Sequence, residues 1–79
     1  MKHISVEYFA ILRERAGRDR EALETNTNTP ADLFAELQLR YQFPAMTSVK
    51  VAINDEFADW HMLLQDGDRV VFIPPVAGG

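Results

Sequence analysis

The sequence predicts an α+β fold, a roll in which a mixed sheet of four to five strands carries one main helix across one face. Three observations lead to this prediction. Apolar and polar residues alternate in the first segment, one well-marked helix follows, and turn-forming residues separate the later segments, the last of which is apolar on both faces. If the first and last strands pair in parallel, both lie at the sheet centre, which would explain why the last strand is the most apolar.

The first segment, residues 2–8, alternates between apolar and polar residues as a half-buried strand does. Its inward residues are Ile4, Val6 and Tyr8. Residues 9–16 predict a short helix that ends at Gly17, since glycine readily takes the positive φ of a helix C-cap. Residues 19–25 predict a second strand with Leu23 inward, and its many charges suit the edge of a sheet.

The main helix has the clearest start signal in the chain. Thr29 can cap the helix, Pro30 suits its first position, and Asp32 places negative charge in its first turn. The helix should run to about residue 41 or 42, with Leu39 exposed on its outer side. Its inward face is formed by Leu33, Phe34, Leu37 and Tyr41.

The second half of the chain reads as strands joined by turns. Residues 49–53 alternate as a strand, residues 54–56 form a tight turn of the Asn-Asp kind, and residues 57–58 a short return strand. Residues 66–68, Asp-Gly-Asp, are a strong turn signal. Residues 70–73 are apolar on both faces and predict the final strand.

Length and composition exclude several classes of protein. The chain has 79 residues, which is room for one domain, and its 8 basic against 12 acidic side chains give a net charge of −4. A sequence pI near 4.9 argues against a nucleic-acid partner. We expect a cytoplasmic protein without a membrane partner, because the chain lacks both a membrane-spanning run and the apolar stretch of a signal peptide. The absence of cysteine excludes disulfides, thiolate metal sites and a thiol nucleophile.

No group of side chains in the sequence predicts an active site or a metal site. His3 and His61 lie far apart, without carboxylates at metal-ligand spacing, and Asp66 and Asp68 flank the glycine of a turn. Arg13, Arg15, Arg18 and Arg20 form a local basic patch. This patch is either a solvated edge or a docking surface for an acidic partner.

The end of the chain points to chemistry. Residues 1–74 should form the domain and residues 75–79 an extended, flexible tail that ends in Gly78 and Gly79. Six residues of extended chain from Pro74 span roughly 19 Å, enough to enter a deep pocket of another protein. Glycines can thread a narrow channel and leave the terminal carboxylate open. Because the sequence shows neither an ATP site nor a thiol, a partner would have to activate that carboxylate.

The sequence resembles the family of sulfur-carrier small subunits of molybdopterin synthase, which have the ubiquitin-like β-grasp fold. The resemblance covers nearly the whole chain. The segments that carry it are Val6–Ala10 with Arg13, Glu14 and Gly17 after it, Leu64–Asp68, and Phe72–Gly79. Two departures are minor, because Glu7 is polar where the family is often apolar and Ala77 replaces a common threonine.

The resemblance implies a role as a non-catalytic carrier. A partner adenylating enzyme would use ATP to activate the Gly79 carboxylate, which is then converted to a thiocarboxylate, while Gly78 permits threading. The carrier would donate this sulfur to a pyranopterin precursor in the catalytic large subunit and so build the molybdopterin dithiolene. The family also implies a heterotetramer of two large and two small subunits, and no cofactor bound to this chain.

We expect the outer face of the sheet to bind these partners. Strand alternation directs Val71 and Ile73 outward, and Phe9 and Phe57 can join them as an apolar patch. The tail would add further contacts through Pro74, Pro75, Val76 and Ala77. Two alternatives stay open: a thiamine-type sulfur carrier or ubiquitin-like modifier, and a β-grasp binding module whose tail is a docking peptide without covalent chemistry.

Overall fold

Five strands and two helices make up residues 1–43 and 48–75, the part of the chain that a computed structural model describes. The elements are β1 (Lys2–Tyr8), α1 (Ala10–Ala16), β2 (Arg20–Thr25), α2 (Pro30–Tyr41), β3 (Lys50–Ile53), β4 (Glu56–Ala58) and β5 (Arg69–Ile73). They form one mixed sheet with the strand order β2-β1-β5-β3-β4. The predicted α+β fold is therefore confirmed, with β2 at an edge of the sheet.

The first and last strands pair in parallel, as predicted, with β5 as the central strand of the sheet and β1 beside it. Ser5 lies beside Arg69 and Tyr8 beside Phe72, whereas the other neighbouring strands are antiparallel. Parallel strands finish at the same end of a sheet. We call the end that contains Tyr8 and Ile73 the tail end, and the opposite end, which contains Lys2, the far end.

The core lies between the inner face of the sheet and α2. All the inward residues predicted for β1, together with Val51, Val70 and Phe72, are buried there. Leu23 on the edge strand is partly buried. The rings of Trp60 and Phe72 stack with their centroids 5.8 Å apart, and Phe34 of α2 contacts Phe72 edge-on at 4.9 Å. These aromatic contacts fix the end of β5 against the helix.

The helix ends follow the capping signals in the sequence. The Thr29 hydroxyl accepts a hydrogen bond from the backbone N–H of Asp32 at 3.2 Å, and α2 ends at Tyr41. Gly17 takes a φ of 75° and caps α1. The short helix begins one residue later than predicted, because Phe9 is extended and occupies its N-cap. Leu39 is 84% exposed, as expected for the outer side of α2.

The two predicted turns at the far end are joined by hydrogen bonds. The Asn54 side-chain amide donates to the Asp68 carboxylate at 2.9 Å, and its carbonyl accepts from the Arg69 backbone N–H at 3.0 Å. The Asp66 carboxylate accepts the His3 backbone N–H at 2.6 Å, which lowers the pKa of Asp66 below its usual value. These bonds confirm the prediction that Asp66 and Asp68 stabilise the turn structure.

Candidate functional site: the tail root and the outer face of the sheet

The predicted tail follows β5, the central strand of the sheet. Ile73 lies beside Lys50 of β3, and the next residue, Pro74, is buried. Pro75 is exposed and is the last residue described. The predicted site residues Val76, Ala77, Gly78 and Gly79 lie outside the described residues. The boundary of the predicted tail, residues 75–79, stays a prediction.

The outer face of the sheet holds a row of cross-strand neighbours near the tail root. Glu7, Val71, Ala52 and Phe57 follow one another across β1, β5, β3 and β4. Val71 is absent from the core cluster that contains its neighbours Val70 and Phe72, so it points outward as predicted. Its exposed fraction is only 8%, however, because residues of two adjacent strands flank it.

Accessible apolar surface on this face comes mainly from two phenylalanines. Phe57 on the edge strand β4 is 74% exposed, and Phe9, directly after β1, is 45% exposed. Ile73, on the strand between β1 and β3, is half-buried. Val71 and the buried Pro74 offer less surface to a partner than the two phenylalanines do. The contact roles of all six described residues of this group stay predictions: Phe9, Phe57, Val71, Ile73, Pro74 and Pro75.

A buried carboxylate at the tail end was missed by the sequence analysis. The Glu21 side chain points inward from β2 and is only 8% exposed. The hydroxyls of Tyr8 and Tyr41 both donate to its Oε2 atom at 2.5 Å, and Arg18 lies 3.3 Å from its Oε1 atom. Burial and the bond to this carboxylate raise the pKa of both tyrosines. The sequence does contain a signal for this: Glu21 lies two residues before Leu23, so both side chains point to the same, inward face of the strand.

The predicted basic patch lies at the tail end. The chain enters α1 just after Tyr8, and β2 begins at Arg20, which pairs with Glu7, so the segment between them stays at this end of the sheet. Two of its members are engaged within the chain: Arg13 lies 3.8 Å from Asp19, and Arg18 contacts Glu21. Arg15 and Arg20 are exposed and make no ion pair with any described residue. These two guanidinium groups remain available to a partner.

The two histidines do not form a metal site within the described residues. His3 lies between two carboxylates, with Nε2 3.2 Å from Glu24 and Nδ1 3.3 Å from Asp66, but its two nitrogens face different partners. Within residues 1–43 and 48–75, no group of three potential ligands can hold a metal ion. Neither of the two helices described is long and apolar enough to cross a membrane.

The fold and the tail root define a protein of the ubiquitin-like β-grasp class, in which a central strand leads into a C-terminal tail. The chain belongs to the ThiS family, whose model matches residues 6–79. It is 34% identical over 84 residues to the molybdopterin synthase sulfur carrier subunit of Mycobacterium tuberculosis, and the match covers all of both chains. The resemblance found in the sequence is therefore confirmed.

Two solved structures show how this fold is used elsewhere. The chain superposes with a TM-score of 0.64 on a chain in the complex of subunits 1 and 2 of molybdopterin-converting factor from Helicobacter pylori, at 25% identity and covering 98% of this chain and 99% of that one. It superposes with a TM-score of 0.79 on the small archaeal modifier protein 1 of Methanosarcina acetivorans, also at 25% identity and covering 100% and 98% of the two chains.

Proposed function

We propose that this protein is the sulfur carrier of a molybdopterin synthase, with sulfur carried on the carboxyl carbon of Gly79. The observation that carries the proposal is the full-length match to a molybdopterin synthase sulfur carrier subunit, which aligns this chain from end to end. The geometry supports it, because a partner can dock on exposed phenylalanines of the same sheet: Phe9 follows β1, the neighbour of β5, and Phe57 lies on β4, two strands from β5. The site is then a docking surface with a reactive end.

The proposed cycle begins with activation by a partner. The Gly79 carboxylate attacks the α-phosphate of ATP, pyrophosphate leaves, and an acyl adenylate forms. A persulfide sulfur on a partner then attacks the acyl carbon and AMP leaves. Reductive cleavage of the resulting acyl disulfide by a partner thiol releases the thiocarboxylate. The domain contributes by placing the carboxyl carbon at one fixed distance from the docking surface.

The thiocarboxylate would deliver its sulfur in a second complex, with the large subunit of the synthase. A pyranopterin precursor accepts the sulfur there, and two deliveries make one dithiolene. The Helicobacter pylori complex of two subunits supports such a partner. Catalysis would reside in the large subunit, because the proposed role of this chain ends with presenting its terminus. ATP is used by the adenylating enzyme, and the cytoplasmic location stays a prediction.

A second candidate is a ubiquitin-like modifier, which the similarity to the archaeal modifier protein favours. Both functions begin with adenylation of the terminus, and they differ in the acceptor. A modifier forms an amide with a lysine of another protein, whereas a sulfur carrier ends as a thiocarboxylate. The mass of the product therefore distinguishes them.

The test is intact-mass measurement after incubation with ATP, an adenylating enzyme and a sulfur donor. We expect the wild-type chain to gain the mass difference between sulfur and oxygen. Deletion of Gly79, or addition of one residue after it, should abolish this gain, because a displacement of about 3.3 Å misplaces the carboxyl carbon. The unfolding midpoint of both variants should match the wild type. A truncated chain that accepts sulfur at the full rate would contradict the proposal.

A further inference from the structure

Charge is distributed unevenly between the two ends of the molecule. The far end carries seven carboxylates, from Glu24, Asp32, Glu36, Asp55, Glu56, Asp66 and Asp68, against two cations, Lys2 and Arg69. The other six basic side chains of the sequence exceed the other five acidic side chains by one. The far end therefore carries a charge of −5 and the rest of the molecule a charge of +1, which together give the net charge of −4.

Six of the eight cations lie at the tail end: Arg13, Arg15, Arg18, Arg20, Arg40 and Lys50. Among its carboxylates, Glu21 is enclosed by the two tyrosines and Arg18, so it adds little negative potential outside. The exposed surface around the tail root is thus more positive than the side-chain count suggests.

Two free cations lie on opposite sides of the apolar outer face. Arg20 is the cross-strand partner of Glu7 on the edge strand β2, and Lys50 is the partner of Ile73 on β3. Both are exposed, and neither makes an ion pair with any described residue. Because cross-strand partners share a face, both side chains border the surface that holds Val71 and Ile73.

We propose that Arg20 and Lys50 form an electrostatic guide that draws the tail end toward an acidic rim on the adenylating enzyme. This inference rests on the proposed function and adds the charge of the partner surface. The negative far end is repelled by the same acidic rim, so the molecule approaches with its tail first. Such steering raises the rate of encounter more than it strengthens the final complex.

The experiment measures association rates with the adenylating enzyme by stopped flow at low and high ionic strength. The test variant is Arg20→Gln with Lys50→Gln. Its matched control, Asn26→Asp with Gln65→Glu, makes the same change in net charge at the exposed far end. We expect the test variant to associate at least about fivefold more slowly at low salt, with a flatter salt dependence. The control should stay within about twofold of the wild type.

Several outcomes would overturn the proposal. If both variants slow equally, overall charge rather than the tail end sets the rate, and if neither slows, these cations do not steer. Binding of single-stranded DNA that depends on Arg20 and Lys50 would assign them to a nucleic acid instead. A charge-conserving variant, Arg20→Lys with Lys50→Arg, should keep the wild-type rate, which separates loss of charge from damage to the fold.

The same samples distinguish this inference from the proposed function. At saturating enzyme, the wild type and the test variant should both reach full thiocarboxylate formation, because steering affects the encounter and leaves the chemistry unchanged. If the wild type never gains sulfur, the proposed function fails. If the wild type gains sulfur and the association rates do not differ, only the electrostatic guide fails.

Discussion

Tyr8 joins the core to the polar network at the tail end. Its ring is buried between the edges of Tyr41 and Phe43, with ring centroids 5.9 Å away in both cases. Its hydroxyl donates to Glu21, which also receives the hydroxyl of Tyr41. One carboxylate thus connects β1, β2 and α2, and an unpaired hydroxyl here would be costly.

This network predicts a loss of stability in alkali. The pKa values of Tyr8 and Tyr41 are raised in the folded state, whereas an unfolded tyrosine titrates near a pKa of about 10. The folded chain therefore holds these protons more tightly, and its free energy of unfolding should fall as the pH rises above about 10. Denaturant unfolding at a series of pH values measures this slope.

The Tyr8→Phe variant is the control for this prediction. It should be less stable than the wild type at neutral pH, because Glu21 loses a buried donor. Its free energy of unfolding should also fall less steeply above pH about 10, because only one tyrosine with a raised pKa, Tyr41, remains. A wild-type protein whose unfolding free energy stays constant through this range would contradict the assignment.

At the scale of elements, Asn54 contributes to the β3–β4 hairpin through both its backbone conformation and its side-chain contacts. Asn54 and Asp55 take φ values of 52° and 73°, the positive angles of a type I′ turn. Asn54 also joins this turn to the one before β5 through its bonds to Asp68 and Arg69. The turn therefore sets the register that places Phe57 on the outer face.

Two substitutions at Asn54 separate these contributions. Asn54→Gly keeps the left-handed conformation and loses the side-chain bonds, which should destabilise the fold by about 1 kcal/mol. Asn54→Ala loses the bonds and also places a Cβ atom in the left-handed region, which adds about 1 kcal/mol or more. Chemical denaturation measures both. Equal stability of the two variants would show that backbone conformation contributes little at this turn.

At the scale of the whole molecule, each side of the layered fold exposes a large apolar side chain. Phe57 lies on the outer face of the sheet, whereas Leu39 lies on the outer side of α2. Both are more than two-thirds exposed, at 74% and 84%. They form a matched pair for asking which side binds partners.

We predict that Phe57→Asp weakens binding to the large subunit at least tenfold, about 1.4 kcal/mol, by placing a charge on the docking face. Leu39→Asp should bind as the wild type does. Both variants should keep the wild-type unfolding midpoint, because exposed substitutions leave the core intact. Isothermal titration calorimetry measures the binding. Unfolding of Phe57→Asp would place this ring in the core, and equal binding by both variants would remove the outer face as the docking surface.

Local signals in the sequence determined most of the elements of this protein. Alternation predicted β1 and β3, a run apolar on both faces predicted β5, and the Thr29 and Pro30 signals predicted the start of α2. These features depend on neighbours within a few residues, whose spacing is visible in the sequence. The terminal glycines and the family resemblance likewise came from the sequence alone.

Only the tertiary structure decided what surrounds each side chain. Glu21 looked like one more charge on a polar edge strand, but α2 brings Tyr41 to it from twenty positions away. Val71 was correctly directed outward, yet its neighbours on β1 and β3 leave it 8% exposed. The separation of charge between the two ends of the sheet also follows from strand order. Burial and electrostatic surroundings depend on residues distant in the chain, so the packed fold determines them where local pattern cannot.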